Sequence, residues 1–226
     1  MDPAKGAELP MGQSPVTKFA RDAMATFPYR QLIGSLMHLM VAIRPNLAFS
    51  LSKRSKFNNS PGRAHWEAAC KVFGYLRQTA EVDVLYRRKG PLQVQGVCDA
   101  AFACHVDDRK AQGGYVFLMG GAAVSLKSYT NSTVARLTPK SEYVAASDAG
   151  AEAIFLRNFL GELGFPQHSP TPIFTDSTGA QAIINNPCNQ ARTKHIEIHC
   201  HYVRQHVAAG RLDYRRAKSS RTAVTS

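Results

Sequence analysis

The stretch that most restricts what this chain can fold into is SEYVAASDAGAEAIFLRNFLGEL, running from Ser141 to Leu163. Ala146, Ala149, Ala153, Leu156, Leu160 and Leu163 recur at steps of three and four, which predicts one long helix with an unbroken apolar seam. Glu142 heads that seam. Thr138-Pro139 upstream supplies an N-cap and a first-turn proline, and Gly164 with Pro166 ends the helix. A carboxylate facing a core needs a cation, a metal or a proton to offset its charge, unless it stays at the helix rim in water.

At 226 residues and 44% hydrophobic content, the chain can hold one large domain, or a medium domain with an appendage, around an ordinary core. The apolar run from Leu32 to Phe49 is broken by Gly34, His38, Arg44 and Pro45, so no membrane partner is expected. Met1 to Pro15 lacks the apolar centre of a signal peptide, and the five cysteines include no C-x-x-C pair. These features predict free thiols and an intracellular location, cytoplasmic or nuclear, with no secretion.

The net charge of +12 is unevenly spread. Residues 50 to 90 carry nine Lys/Arg against three acids, and residues 187 to 226 carry eight against two, whereas 91 to 186 carries six against eight. Basic flanks around a mildly acidic centre suit a protein that holds a polyanion and works on it at a cluster of carboxylates. The plainer reading is a solvated basic surface.

Along the chain, residues 1–27 are rich in Pro, Gly and small residues and are expected to form a mobile leader. Tyr29 to Met40 and Asn46 to Phe57 read as short helices separated at Arg44-Pro45. A third helix spans Arg63 to Thr79, with Trp66, Ala69, Cys70, Phe73 and Leu76 on one face. Near Gly90-Pro91 the period changes. Strands are expected over Leu92 to Ala101, Gly113 to Met119 and Ala123 to Tyr129, the last two joined by a Gly120-Gly121 hairpin. After the long helix come a strand over Thr171 to Asp176, helices over Ser177 to Asn186 and Thr193 to Ala209, and a closing strand over Arg211 to Arg215. The order predicts an α/β fold: a mixed five-stranded sheet with helices packed on it, preceded by a small helical segment. The domains are then 28–90, helical, and 91–226, the sheet domain.

Asp99 falls near the end of the first strand and Asp176 ends the fourth, just before a helix. Ligands gather at such strand ends in α/β sheets. If those strands are neighbours and the long helix crosses them, Asp99, Glu142 and Asp176 converge. Three carboxylates at one point repel, and Mg²⁺, which takes oxygen ligands, is the usual relief. Two such ions about 4 Å apart activate a water and stabilise the leaving oxygen of a phosphodiester.

CDAAFACHVDDRKAQGGYVFLMGG, from Cys98 to Gly121, resembles the first RNase H motif of Ty1/copia-type retrotransposon Pol polyproteins. SEYVAASDAGAEAIFLRNFLGELGF resembles the second, TPIFTDSTGAQAIINNP the third, and ARTKHIEIHCHYVR the Arg-Thr-Lys-His-Ile block that follows. PYRQLIGSLMHLMVAIRPNLAFSLSKRSKF and AHWEAACKVFGYLRQT are similar to the helical connection between the reverse transcriptase and RNase H regions. The resemblance covers roughly residues 28 to 215. It implies an RNase H-like fold and hydrolysis of the RNA strand of an RNA/DNA hybrid, recognised by shape and 2′-hydroxyl. It further implies Asp99, Glu142 and Asp176 as catalytic and metal-binding acids, two Mg²⁺ ions with Mn²⁺ as a substitute, nucleic-acid contacts at Arg192, Lys194 and His195, and a reverse transcriptase portion as partner.

The chain also departs from the pattern. The tail YRRAKSSRTAVTS has no acid after Asp213 where family members supply a fourth carboxylate. Arg136, Leu137, Pro139 and Lys140 replace a Ser/Thr-rich run, and Ala101-Phe102 stands where Asp-Trp is common. A second reading follows: a catalytically inactive, nucleic-acid-binding remnant of the same domain. A DNA-cutting integrase or transposase core is a third, and the collinear blocks count against it. His195 and His199 have zinc-pair spacing, yet no Cys or carboxylate completes a signature. HVDDR reads as the turn after the first strand, so no DNA synthesis is expected.

Overall fold

The computed structural model describes residues 11–87, 92–101, 111–130, 138–177, 184 and 194–217; the side chains of 11, 101, 138–140 and 194–200 are not described. Contacts divide the chain into two compact units that meet in sequence between Val84 and Leu85.

The first unit is helical. It comprises α1 (Lys18–Ala25), α2 (Tyr29–Ala42), α3 (Ala48–Ser55) and α4 (Arg63–Gln78). Helix α1 lies in the stretch expected to be a mobile leader. Its start is fixed by Thr17, whose hydroxyl accepts the Ala20 N–H at 3.2 Å, and Met24 anchors it by burial. Arg44-Pro45 separates α2 from α3 as expected, with a single 3₁₀ turn at Pro45–Leu47. Tyr29, Ile33, Leu36, Leu47, Leu51, Phe57, Ala69 and Val72 form the core.

Helix α4 is turned relative to the expected face: His65, Ala68, Ala69 and Val72 are buried, whereas Cys70 and Phe73 are exposed. The reason is His65. It stacks on Phe57 with ring centroids 3.8 Å apart, and its Nδ1 accepts the Gly62 N–H at 2.8 Å, so a residue scored as polar takes a core position. Arg54 is also buried in this unit, and its guanidinium donates to Ala68 O, Ser50 O and Ser50 Oγ. Burial lowers its pKa, yet these acceptors satisfy most of its donors.

The second unit contains β1 (Gln95–Ala101), β2 (Gln112–Met119), β3 (Ala122–Thr130), α5 (Thr138–Glu162), β4 (Thr171–Thr175), α6 (Lys194–Ala208) and β5 (Leu212–Arg216). The sheet order is β3-β2-β1-β4-β5, with β1, β2 and β3 antiparallel and β1, β4 and β5 parallel. This is the mixed five-stranded sheet with helices anticipated above. Gly120 and Gly121, at φ 63° and 83°, make the β2–β3 hairpin, a conformation that residues with a Cβ adopt at a cost.

The sequence's long helix is α5. Ala146, Ala149, Ala153 and Leu160 are buried against Cys98, Tyr115, Phe117, Ile173, Val203 and Leu212, and Leu156 packs at the margin. Leu163 departs from the expected seam and is 55% exposed, because α5 stops at Glu162 and the chain turns through Gly164. Thr138 and Pro139 belong to the first turn of α5 rather than preceding it. The helix expected over Ser177 to Asn186 lies outside the described residues, apart from Ser177 and the helical Ile184. Among the described residues, no helix is long and apolar enough to cross a membrane.

Candidate active site at the ends of β1 and β4

Side chains alternate along β1, so Cys98 points into the core while Val97, 40% exposed, points the other way, and Asp99 shares the Val97 side. The same alternation on β4 buries Ile173 and Thr175 and leaves Asp176, just past the strand, exposed. The parallel register pairs Gly96 with Ile173 and Val97 with Phe174. Continued by two residues, it brings Asp99 level with Asp176 on the adjacent strand and on the same face. The two carboxyl groups lie within hydrogen-bonding reach of each other.

Glu142 enters from the first turns of α5, half-buried. Its Oε2 accepts a hydrogen bond from the Ser177 hydroxyl, 35 residues away in sequence. Its charge also reaches Asp99. Burial, then the neighbouring Asp176 and then Glu142 push the Asp99 carboxyl above its ordinary range, against an opposing hydrogen bond from the Ala100 backbone. The three acids picked out from the sequence therefore lie at the same end of the sheet. Among the described residues, no three His, Cys, Asp or Glu side chains stand close enough to ligate a single ion. Asp99 and Asp176 form a close pair, with Glu142 as the third acid beside it.

Beneath the acids lies a buried polar support. Thr175 is 3% exposed and Ser177 6% exposed. The Ser177 N–H donates to Thr175 Oγ1 at 3.2 Å, and the Thr175 hydroxyl also bonds the Cys98 thiol. Burial raises the pKa of that thiol to about 12, so Cys98 stays protonated and inert at neutral pH.

Ser177 was not singled out by sequence reasoning. The only hint was its place directly after Asp176.

Two further acids on α5, Asp148 and Glu152, face β2 and β3 instead. Tyr115 Oη donates to Glu152 Oε2 at 3.2 Å, Ser125 Oγ donates to Oε1 at 2.7 Å, and Lys127 Nζ lies 3.6 Å from Asp148 Oδ2. Hydroxyl donors and a lysine already satisfy this pair, which fastens α5 to the hairpin.

Asp213 sits level with Pro172, four positions before Asp176, which at the usual strand rise is about 13 Å away. It is held by Arg215 Nε at 2.7 Å, and the residue next to the end of β4 is Ala217, whose N–H donates to Thr175 O at 2.8 Å. Arg192 lies outside the described residues. Lys194 and His195 open α6, and their side chains are not described.

No family model matches the chain. It is 37% identical over 85% of its length to the retrovirus-related Pol polyprotein from transposon TNT 1-94 of Nicotiana tabacum, of which it spans 14%. It is 36% identical over 59% of its length to secreted RxLR effector protein 161 of Plasmopara viticola, of which it spans 94%. Among solved structures, the foamy viral protease-reverse transcriptase in complex with dsDNA superposes with a TM-score of 0.54 over 91% of this chain and 42% of that one, at 12% identity.

Proposed function

We propose, from the premise that this chain belongs to the RNase H region of Ty1/copia-type retrotransposon Pol polyproteins, that it hydrolyses the RNA strand of RNA/DNA hybrids. The observation that carries the reading is the closeness of the Asp99 and Asp176 carboxyl groups at the ends of the adjacent parallel strands β1 and β4, with Glu142 as the third acid beside them. Burial first, and then the like charges of Asp176 and Glu142, raise the Asp99 pKa, and a hard divalent cation relieves that repulsion. The donor set, all carboxylate oxygen, fits Mg²⁺, with Mn²⁺ as a substitute. The close pair Asp99 and Asp176 would hold it, with Glu142 as the third acid beside them. When bound, Mg²⁺ supplies activation of the attacking water and stabilisation of the leaving oxygen.

The protein's own part is placement. Asp99 stands on β1, paired with Gly114 of β2, and Asp176 directly follows β4, whose Phe174 pairs with Val97 of β1, so both acids are placed by neighbouring strands. Basic residues in 50–90 and 187–226 supply the attraction for the phosphate backbone, with Arg192, Lys194 and His195 as contacts. In the same reading the helical unit is the connection to a reverse transcriptase portion, since the chain spans only 14% of its tobacco relative.

A labelled RNA/DNA duplex tests the proposal. Cleavage is expected with Mg²⁺ and not without it, and Asp99→Asn is expected to lower the rate by on the order of 100-fold or more. Equal rates for the two proteins would refute it. One observation favours the second reading, a nucleic-acid-binding remnant: β5 brings Ala217, not an acid, alongside the end of β4. That reading predicts salt-sensitive hybrid binding without turnover, and any Mg²⁺-dependent cutting excludes it.

A further inference from the structure

We propose that Ser177 is a positioning residue for Glu142, its hydroxyl holding one carboxylate oxygen so that the other is presented to the site formed with Asp99 and Asp176. The inference rests on the hydrolytic reading above and assigns a role to a residue that reading does not use. Glu142 is the acid with the longest side chain and stands on the first turns of a helix. Left alone, its carboxylate would be free to rotate toward solvent. The Ser177 hydroxyl, donating to Glu142 Oε2, selects one orientation.

Ser177 is itself fixed. It is 6% exposed, its N–H donates to Thr175 Oγ1 at 3.2 Å, and Thr175 is tied to β5 through the Ala217 N–H at 2.8 Å and to β1 through Cys98. A continuous line of buried polar contacts thus runs from Cys98 on β1, through Thr175 on β4, to Ser177 and on to Glu142 on α5. Because Ser177 directly follows Asp176, the residue that sets Glu142 is bonded to the residue that pairs with Asp99. A shift of either acid is passed to the other through one peptide unit. Groups that orient a ligand in this way are worth roughly 10- to 100-fold in metal affinity.

The experiment measures Mn²⁺ binding to the whole chain from the loss of the free-ion paramagnetic resonance signal, with Mg²⁺-dependence of hybrid cleavage as a second readout. Wild type is compared with Ser177→Ala, Ser177→Thr, Ser177→Cys and Glu142→Gln, and circular dichroism confirms that each is folded. Expected are an affinity about 10- to 100-fold weaker for Ser177→Ala, a similar loss for Ser177→Cys, whose thiol is a poor donor, and near-complete retention for Ser177→Thr. Saturating Mg²⁺ should restore most of the cleavage rate to Ser177→Ala and none to Glu142→Gln. Should the alanine variant fail to fold, the cysteine variant decides. If folded Ser177→Ala or Ser177→Cys binds Mn²⁺ and responds to Mg²⁺ as wild type does, the positioning role is overturned while the nuclease reading stands. If wild type binds no Mn²⁺, both fall together.

Discussion

Asp99 illustrates how much of this protein's chemistry is decided by one side chain's neighbours. Its carboxyl is pushed above the usual 3.8 first by burial, then by Asp176 and Glu142. Between 3.8 and the higher folded-state value, the folded chain keeps a proton that the unfolded chain has lost, so stability falls as pH rises through that window. Asp99→Asn removes the penalty. It is expected to raise the melting temperature at pH 7, with the gain shrinking on acidification and vanishing below about pH 3, where both states are protonated. Thermal melts of the two proteins from pH 3 to 7 without divalent ions check this. A variant that melts lower than wild type at pH 7 would contradict the assigned cause. The three acids were legible in the sequence because each stands at the head of a helix or the end of a strand, where local pattern already indicates a site. Ser177 and the Asp148–Glu152 pair were not, since a serine's partner across 35 residues leaves no periodic trace.

At the scale of elements, the fit of α5 to the sheet depends on Gly150 and Tyr214. The Tyr214 hydroxyl, from β5, donates to Ala146 O at 2.6 Å, and a Cβ at Gly150 would lie 2.6 Å from the Tyr214 hydroxyl oxygen. Burial raises the tyrosine's pKa well above its ordinary value, so the phenol remains a donor at any moderate pH. Tyr214→Phe is expected to cost about 1 kcal/mol for the lost hydrogen bond, and Gly150→Ala about 1–3 kcal/mol for the steric conflict. In the double variant the cost should be smaller than the sum, because both changes act on one contact. Urea denaturation of the three proteins measures the coupling, and strict additivity would show that Gly150 is small for another reason. The alanine-rich seam of α5 announced close packing, but nothing in its spacing indicated a tyrosine hydroxyl over Gly150. Nor did the spacing of α4 reveal that His65 would replace Cys70 in the core, since a histidine is buried only when a partner such as the Gly62 N–H and a ring such as Phe57 are both in place.

For the whole molecule, the governing quantity is the distribution of 28 basic against 16 acidic residues, concentrated on either side of the acidic centre. Hybrid affinity is expected to fall more than tenfold between 50 and 200 mM salt, a log–log slope steeper than about −1.7, as Lys/Arg–phosphate contacts release condensed ions. A titration of fluorescent hybrid at several salt concentrations measures the slope, and a flat response would remove the basic segments from binding. By itself the sequence determined the helical segment followed by five strands, the long helix with its seam from Ala146 to Leu160, and the places of the three candidate acids along the chain, because local periodicity and strand or helix termini are properties of neighbouring residues. Only the tertiary structure decided that β1 and β4 lie side by side in parallel, that Asp99 is therefore level with Asp176, and that Ser177 takes the Glu142 carboxylate. Those facts depend on strand order and register. Register is set by which side chains bury together across long stretches of chain, and no short window of sequence contains it.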